Sequence, residues 1–467
     1  MSARFDPGSF RDRNGRVVRH GDGVYRVLSP PALAEWDALA ATGFFRRFAD
    51  EGRIVVTRRL APDEEPTLPD RDCWAAVLRH DVVPFVSYPY EWCFGMLRDA
   101  ALLQLDLLLA ALDEDFVLKD ASPYNVLWIG TEPVFIDVAS FERLAPGAPW
   151  TGYRQFCELT LYPLLLQAYR GVAFQPWLRG SIDGISAADA SRLFSLRDRL
   201  RPGVLAHVVL QARAQARFAV AGVDVRRDLA RAGFHTALIV ANVRRLRKLV
   251  GRLAWTPATS AWSEYQTASP YSVEDREAKE RFVRDVAGTR RRRLAWDLGA
   301  NTGHFSRLVA PHADCVVALD GDHVAVERMY TALRADGQRT IVPLVMDLAS
   351  PSPGLGWRNA ERATLAERGR PDLVLALALL HHLVITGNVP LPEALDWLAG
   401  LGDELVIEFV GRDDPMVETL LRNKTERYED YDPALLERCL SARGRIVRRE
   451  RLPGGTRTLY HVASSDR

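Results

Sequence analysis

From residue 290 onward, short apolar runs alternate with segments whose apolar residues recur at helical spacing. The runs 294–298, 316–319, 341–345, 373–379 and 405–409 predict strands buried on both faces, because a half-exposed strand would alternate apolar with polar. Helical spacing marks 324–334 and 391–398; residues 305–310 follow the first strand as the start of a helix, and 273–286 predict one ahead of the sheet. Such alternation predicts βαβ units around a mostly parallel sheet. At the end, 445–451 and 456–462 flank Pro453-Gly454-Gly455, which predicts an antiparallel last hairpin.

Chemistry concentrates where the first strand ends, in Asp297-Leu298-Gly299-Ala300-Asn301-Thr302-Gly303. A strand, a glycine turn and a helix start, followed by Asp320 at the end of the second strand, form the nucleotide-binding half of a doubly wound sheet. A pyrophosphate cofactor calls for G-x-G-x-x-G, but Asn301 stands at the middle glycine, and no lysine closes the loop as a P-loop requires. An acidic strand end beside a glycine turn suits a ligand with a cationic centre, an amino-acid end and a ribose, and S-adenosylmethionine is that ligand. The segment resembles motif I of class I methyltransferases. Gly299, Asn301 and Gly303 are then the turn that meets the methionine part, Asp297 holds the turn or the amino group, and Asp320 is the ribose candidate. Asp322 either shares that task or caps the following helix. Asp347 and Leu348 follow the third strand, where this fold places its adenine contacts; a turn or cap is the alternative for Asp347. His381 and His382 end the fourth strand and Glu408 the fifth. Imidazole titrates near working pH, so His381 and then His382 are the candidates to take a proton from the acceptor, and Glu408 to orient a histidine or the substrate. Packing against the cofactor is the alternative for either histidine.

Bulk properties narrow the classes. A chain of 467 residues is long enough for two or three domains. A formal net charge of +1 gives no support for nucleic-acid or membrane-surface binding. The five cysteines are scattered without C-x-x-C or Cys/His clusters, so neither a disulfide framework nor a metal site is expected. With a charged start and no long apolar run, the expected setting is cytoplasmic, without membrane contact.

Residues 1–250 differ in character. Asp120 and Asn125 are spaced D-x-x-x-x-N, and Asp137 follows a short predicted hairpin, as in the protein-kinase catalytic loop and its metal-binding aspartate. The apolar helix 96–112 and a strand at 85–88 suit a kinase large lobe. Departures accompany this: no lysine precedes Lys119, Gly21-Asp22-Gly23 reads as a hairpin turn, and Leu118 replaces histidine. Arg58 or Arg59 would have to stand in for the lysine. Otherwise the three polar residues merely bond their own loop.

Over most of its length the chain resembles the bacterial class I methyltransferases related to the nodulation protein NoeA. The resemblance rests on Leu118–Asn125, Phe135-Ile136-Asp137, Gly152–Phe156, Leu375–Leu383, Asn388–Leu391 and Val406–Val410. The pattern along the chain predicts an α/β protein: an α+β domain at 1–250, either of degenerate kinase-like fold or for substrate recognition, a linker and lid segment at 251–289, and a doubly wound Rossmann-like methyltransferase sheet at 290–467. The resemblance implies S-adenosylmethionine as cofactor and methyl transfer as the reaction, and the expected acceptor is a small molecule or glycan methylated on an oxygen or nitrogen. Tyr265 and Tyr271 lie where many methyltransferases carry a lid, with inter-domain packing as the alternative. Two other readings stay open: a bifunctional kinase-like methyltransferase and a non-catalytic regulatory scaffold.

Overall fold

The computed structural model describes residues 3–221, 236–256, 272–422, 424–426 and 428–464. It divides into two compact units: residues 1–128, 132–256 and 354–362 in the first, and 129–131, 257–353 and 363–467 in the second. The helix Val273–Ala287, expected in a linker and lid segment, falls within the second unit, whereas residues 354–362 fall within the first.

In the first unit, β1 (Arg4–Phe5), β2 (Gly15–His20), β3 (Gly23–Leu28), β4 (Thr57–Arg59) and β5 (Ala76–His80) form an antiparallel sheet in the order β1-β2-β3-β5-β4. The helix Phe94–Leu112 follows. It is apolar almost all round and buried along most of its length, as a helix at the centre of a domain must be. Its buried Gln104 donates to the Ser122 carbonyl at 2.7 Å, tying the helix to the loop that carries Asp120 and Asn125. Then come β6 (Phe116–Leu118), β7 (Val126–Ile129), β8 (Glu132–Phe135) and β9 (Phe141–Arg143), paired β6 with β9 and β7 with β8. The strand expected at 85–88 does not form. Pro84 and Pro89 bracket it and remove ladder donors, and a 3-10 turn, Pro89–Glu91, follows.

The second unit is built on β10 (Arg292–Leu298), β11 (Ala313–Asp320), β12 (Ile341–Val345), β13 (Leu373–Ala376), β14 (Glu404–Val410), β15 (Gly444–Arg451) and β16 (Arg457–Ser464). Their order is β12-β11-β10-β13-β14-β16-β15. The first five run parallel, and β16 enters antiparallel between β14 and β15. Side chains of β10 from Leu294 to Leu298 are buried on both faces, Trp296 completely; each such large apolar side chain stabilises by roughly 1.5–3 kcal/mol. The chain order reverses at β10, which has β11 on one side and β13 on the other. Ligands of open α/β sheets bind at the carboxyl ends around such a switch point.

The strand expected at 373–379 is shorter. It stops at Ala376 because Ala378 adopts φ 51°, a left-handed conformation that ends a pleated run. That kink turns the chain into the segment bearing the two histidines.

Candidate active site

The turn after β10 is built from backbone signs. Gly299 and Gly303 have φ of 75° and 82°, and Asn301, a residue that tolerates the left-handed region, has 51°. The amides of Gly299 and Ala300 donate to the Leu319 carbonyl at 2.8 and 3.0 Å, anchoring the turn to β11. Gly303 begins the helix His304–Val309. A Cβ there would lie 2.7 Å from the Met329 sulfur, so this glycine answers both to conformation and to space.

Asp320 closes the arrangement. Its Oδ2 accepts the Asn301 amide and its Oδ1 the Asp322 amide, both at 2.8 Å. Burial raises its pKa, against these two amide hydrogen bonds. Asp322 caps the helix His323–Ala335, accepting from the amides of Val324 and Ala325 at 2.8 and 3.4 Å. Asp297 lies beneath the turn and accepts from Ser306 Oγ at 2.6 Å; burial pushes its carboxyl up to about 6. Asp347 is exposed and accepts the Ala349 amide at 2.9 Å, so it also makes a local turn.

These groups surround a cleft of about 970 Å³. Of the residues anticipated from sequence, Asp297, Gly299, Asn301, Asp320, Asp322, Asp347, Leu348 and His382 line it. Gly303 lies outside the lining and supports the turn from behind. Tyr265 and Tyr271 lie outside the described residues. His382, with its pKa lowered by burial to about 4, faces the cleft; His381 does not. His381 is buried, its ring centroid 4.1 Å from that of His382, and neither of its ring nitrogens has a hydrogen-bond partner among the described residues.

Glu408 also stands elsewhere than expected. It lies within β14, fully buried and off the cleft wall, because the helix Val273–Ala287 covers that face of the sheet. It accepts from Lys279 Nζ at 2.6 Å and lies 3.5 Å from Arg457, which pairs with Asp414 at 2.7 Å. Lys279 does reach the cleft, as does Arg276 one turn earlier. The sequence carried a signal for Lys279. It shares the buried stripe of Ala278, Phe282, Val283 and Val286 at helical spacing, an unusual place for a lysine.

In the first unit, Asp120, Asn125 and Asp137 are drawn together. Asn125 Nδ2 donates to Ser140 Oγ at 3.1 Å, and Ser140 Oγ donates to Asp137 at 2.5 Å. Burial by itself would raise the Asp137 carboxyl, but Arg26, Ser140 and His80 outweigh it and hold it below its usual value. Arg26, on β3, donates to Asp137 at 2.6 Å. Arg58 and Arg59 instead pair with Glu64 and Asp37 at the surface. Burial raises Asp120, with the Asp137 charge adding to it. Among the described residues no group of three or more His, Cys, Asp or Glu side chains is arranged to hold a metal ion, and no helix is long and apolar enough to cross a membrane.

Strand order, glycine turn and the acid ending β11 make the second unit a class I methyltransferase fold, Rossmann-like with an antiparallel end. The chain belongs to the family of the nodulation protein NoeA: it is 33% identical to that protein of Rhizobium meliloti (strain 1021) over 469 residues, 98% of this chain and 96% of the relative. No family model matches the sequence. Similar solved structures include the N-methyltransferase NodS from Bradyrhizobium japonicum WM9, at 14% identity and a TM-score of 0.31 over 41% of this chain and 98% of that one. Magnesium protoporphyrin IX methyltransferase from Synechocystis PCC 6803, with bound S-adenosylhomocysteine, is 17% identical over 44% of this chain and 93% of its own, at a TM-score of 0.32. The bifunctional kinase-methyltransferase WbdD is 16% identical over 43% of this chain and 41% of its own, at 0.30.

Proposed function

We propose that the protein is an S-adenosylmethionine-dependent methyltransferase acting on an oxygen or nitrogen of a small molecule or glycan. The observation that carries this reading is Asp320, whose carboxylate ends β11, binds the Asn301 amide and opens onto the cleft. The donor set fits the cofactor. Each Asp320 oxygen spends one acceptor position on an amide and keeps capacity for ribose hydroxyls. Asp347 and Leu348 form the adenine side, and Gly299 and Asn301 bring the backbone close to the methionine part.

S-adenosylmethionine, when bound, supplies a methyl group on an already activated sulfonium. The chain therefore contributes mainly positioning and exclusion of water. His382 is the histidine after the fourth strand of the sheet that lines the cleft, which makes it the candidate to receive a proton from the acceptor. Burial lowers its pKa to about 4, so it is neutral at working pH and a weak base there. His381 packs against its ring and would act by orienting it.

Calorimetric titration of the full-length protein with S-adenosylhomocysteine tests the reading. Saturable binding is expected; absence of binding by the folded protein refutes it. Repeating the titration with ATP and magnesium tests a second reading, a nucleotide-binding first unit. The chain Asn125–Ser140–Asp137–Arg26 is what supports that reading: it sets a cation beside the aspartate that the kinase-like spacing singles out. ATP binding that Asp137→Asn abolishes supports it; no ATP binding leaves the first unit as an acceptor-recognition or supporting domain.

A further inference from the structure

One helix of the first unit carries charge of a single sign. Thr236–Arg252 holds Arg244, Arg245, Arg247, Lys248 and Arg252 and no acidic residue. Its apolar side, Ile239, Val243, Leu246 and Val250, is buried, with the helix Phe94–Leu112 packed beside it. At about 100° per residue, Arg244, Lys248, Arg252 and Arg245 fall within roughly 100° of arc, opposite that buried side. All four are exposed, and none pairs with an acid among the described residues. Arg247, at the edge of the stripe, pairs with Asp106.

A turn lies against the same helix. Gly203 has φ 84°, and a Cβ there would meet Leu249 Cδ2 at 2.5 Å, so residues 195–203 sit beside the helix at Leu249. Leu249 is one helical turn from both Arg245 and Arg252. Within the turn, Asp198 is buried, accepts the Ser195 amide at 2.8 Å and pairs with Arg170 and Arg201, both at 3.3 Å. Its charge is thereby balanced. The turn shows solvent Leu196, 73% exposed, and Leu200, 90% exposed, together with the cations Arg197 and Arg201. Single apolar residues scattered over a surface are ordinary, but leucines set beside a basic stripe mark a docking face.

The net charge of +1 averages over the whole chain and hides this concentration. We infer that this face of the first unit docks on an anionic phospholipid bilayer. The cations meet headgroup phosphates, while their apolar stems and the leucines reach the boundary with the acyl chains. An acidic protein would need a fitted pocket for each leucine, whereas a lipid surface yields to all of them. Nucleic acid gives the leucines no partner, and neither the turn nor the helix contains an aromatic residue to stack on bases. The inference goes beyond methyl transfer and is independent of it, since both elements belong to the first unit.

Flotation of the full-length protein with vesicles of phosphatidylcholine, and with vesicles of an equal mixture of phosphatidylcholine and phosphatidylglycerol, tests this. Binding to the mixed vesicles alone is expected, weakening as salt is raised. Arg245→Ala combined with Lys248→Ala should lower the binding constant more than about tenfold, each cation being worth about fivefold. Leu200→Ser should lower it by about fivefold and leave the salt dependence in place. Both variants change exposed side chains, so the fold should tolerate them, and circular dichroism checks this. No binding, equal binding to the two vesicle types, or undiminished binding by either folded variant overturns the inference. Attachment to soluble polyglutamate in preference to the mixed vesicles also overturns it and assigns the face to an acidic protein.

Discussion

Asn301 donates its backbone amide to the Asp320 carboxylate at 2.8 Å, so the residue proposed to hold the ribose also fixes the turn that would meet the methionine end. One side chain thus couples two parts of the cleft. Asp320→Ala should lower S-adenosylhomocysteine affinity by more than about tenfold, or 1.4 kcal/mol, because both a ligand contact and turn order are lost. Circular dichroism should show the domain folded. Undiminished affinity in that folded variant would remove Asp320 from the site.

Gly303→Ala puts a side chain at φ 82° and 2.7 Å from the Met329 sulfur. We expect a loss of about 1–3 kcal/mol in urea unfolding and weaker cofactor binding, since the helix His304–Val309 starts there. A variant as stable as wild type would mean that Met329 and the turn adjust freely.

The Lys279–Glu408 pair is buried on both sides. Lys279→Met leaves Glu408 without its closest cation and should cost about 3–5 kcal/mol. Adding Glu408→Met should restore part of that stability, because two apolar side chains replace one unbalanced charge. Additive losses in the double variant would show that the two residues act independently.

Asp297 gives a pH signature. Its folded pKa, about 6, lies above the 3.8 usual for an aspartate in an unfolded chain, so the folded state binds the extra proton between these limits. Its contribution to stability is full below about pH 4 and is lost as pH rises through about 6. Wild-type stability should therefore fall relative to Asp297→Asn across that window. Denaturant unfolding at several pH values checks it, and a constant difference between the two proteins would contradict the burial of an ionisable carboxyl.

Local pattern carried much of the site. The turn residues Gly299 and Gly303, the acids ending β10 and β11, and Asp347 were legible because strand ends and left-handed positions leave compositional marks a few residues long. His381 and His382 were visible as a pair, but nothing local tells which ring faces a cleft. The left-handed Ala378 that sets their course gives no sign in its side chain. The kinase-like spacing of Asp120, Asn125 and Asp137 was equally plain, yet the arginine beside Asp137 proved to be Arg26, more than a hundred residues earlier.

The sequence by itself determined the alternation of strands and helices, the glycine turn and the succession of acids, because periodicity and backbone preference act over neighbouring residues. Only the tertiary structure decided that Glu408 is a buried partner and not a cleft residue, and that Arg276 and Lys279 form part of the cleft wall. Those outcomes depend on which helix covers which face of the sheet. That choice is settled by packing between segments more than a hundred residues apart, and no local pattern encodes it.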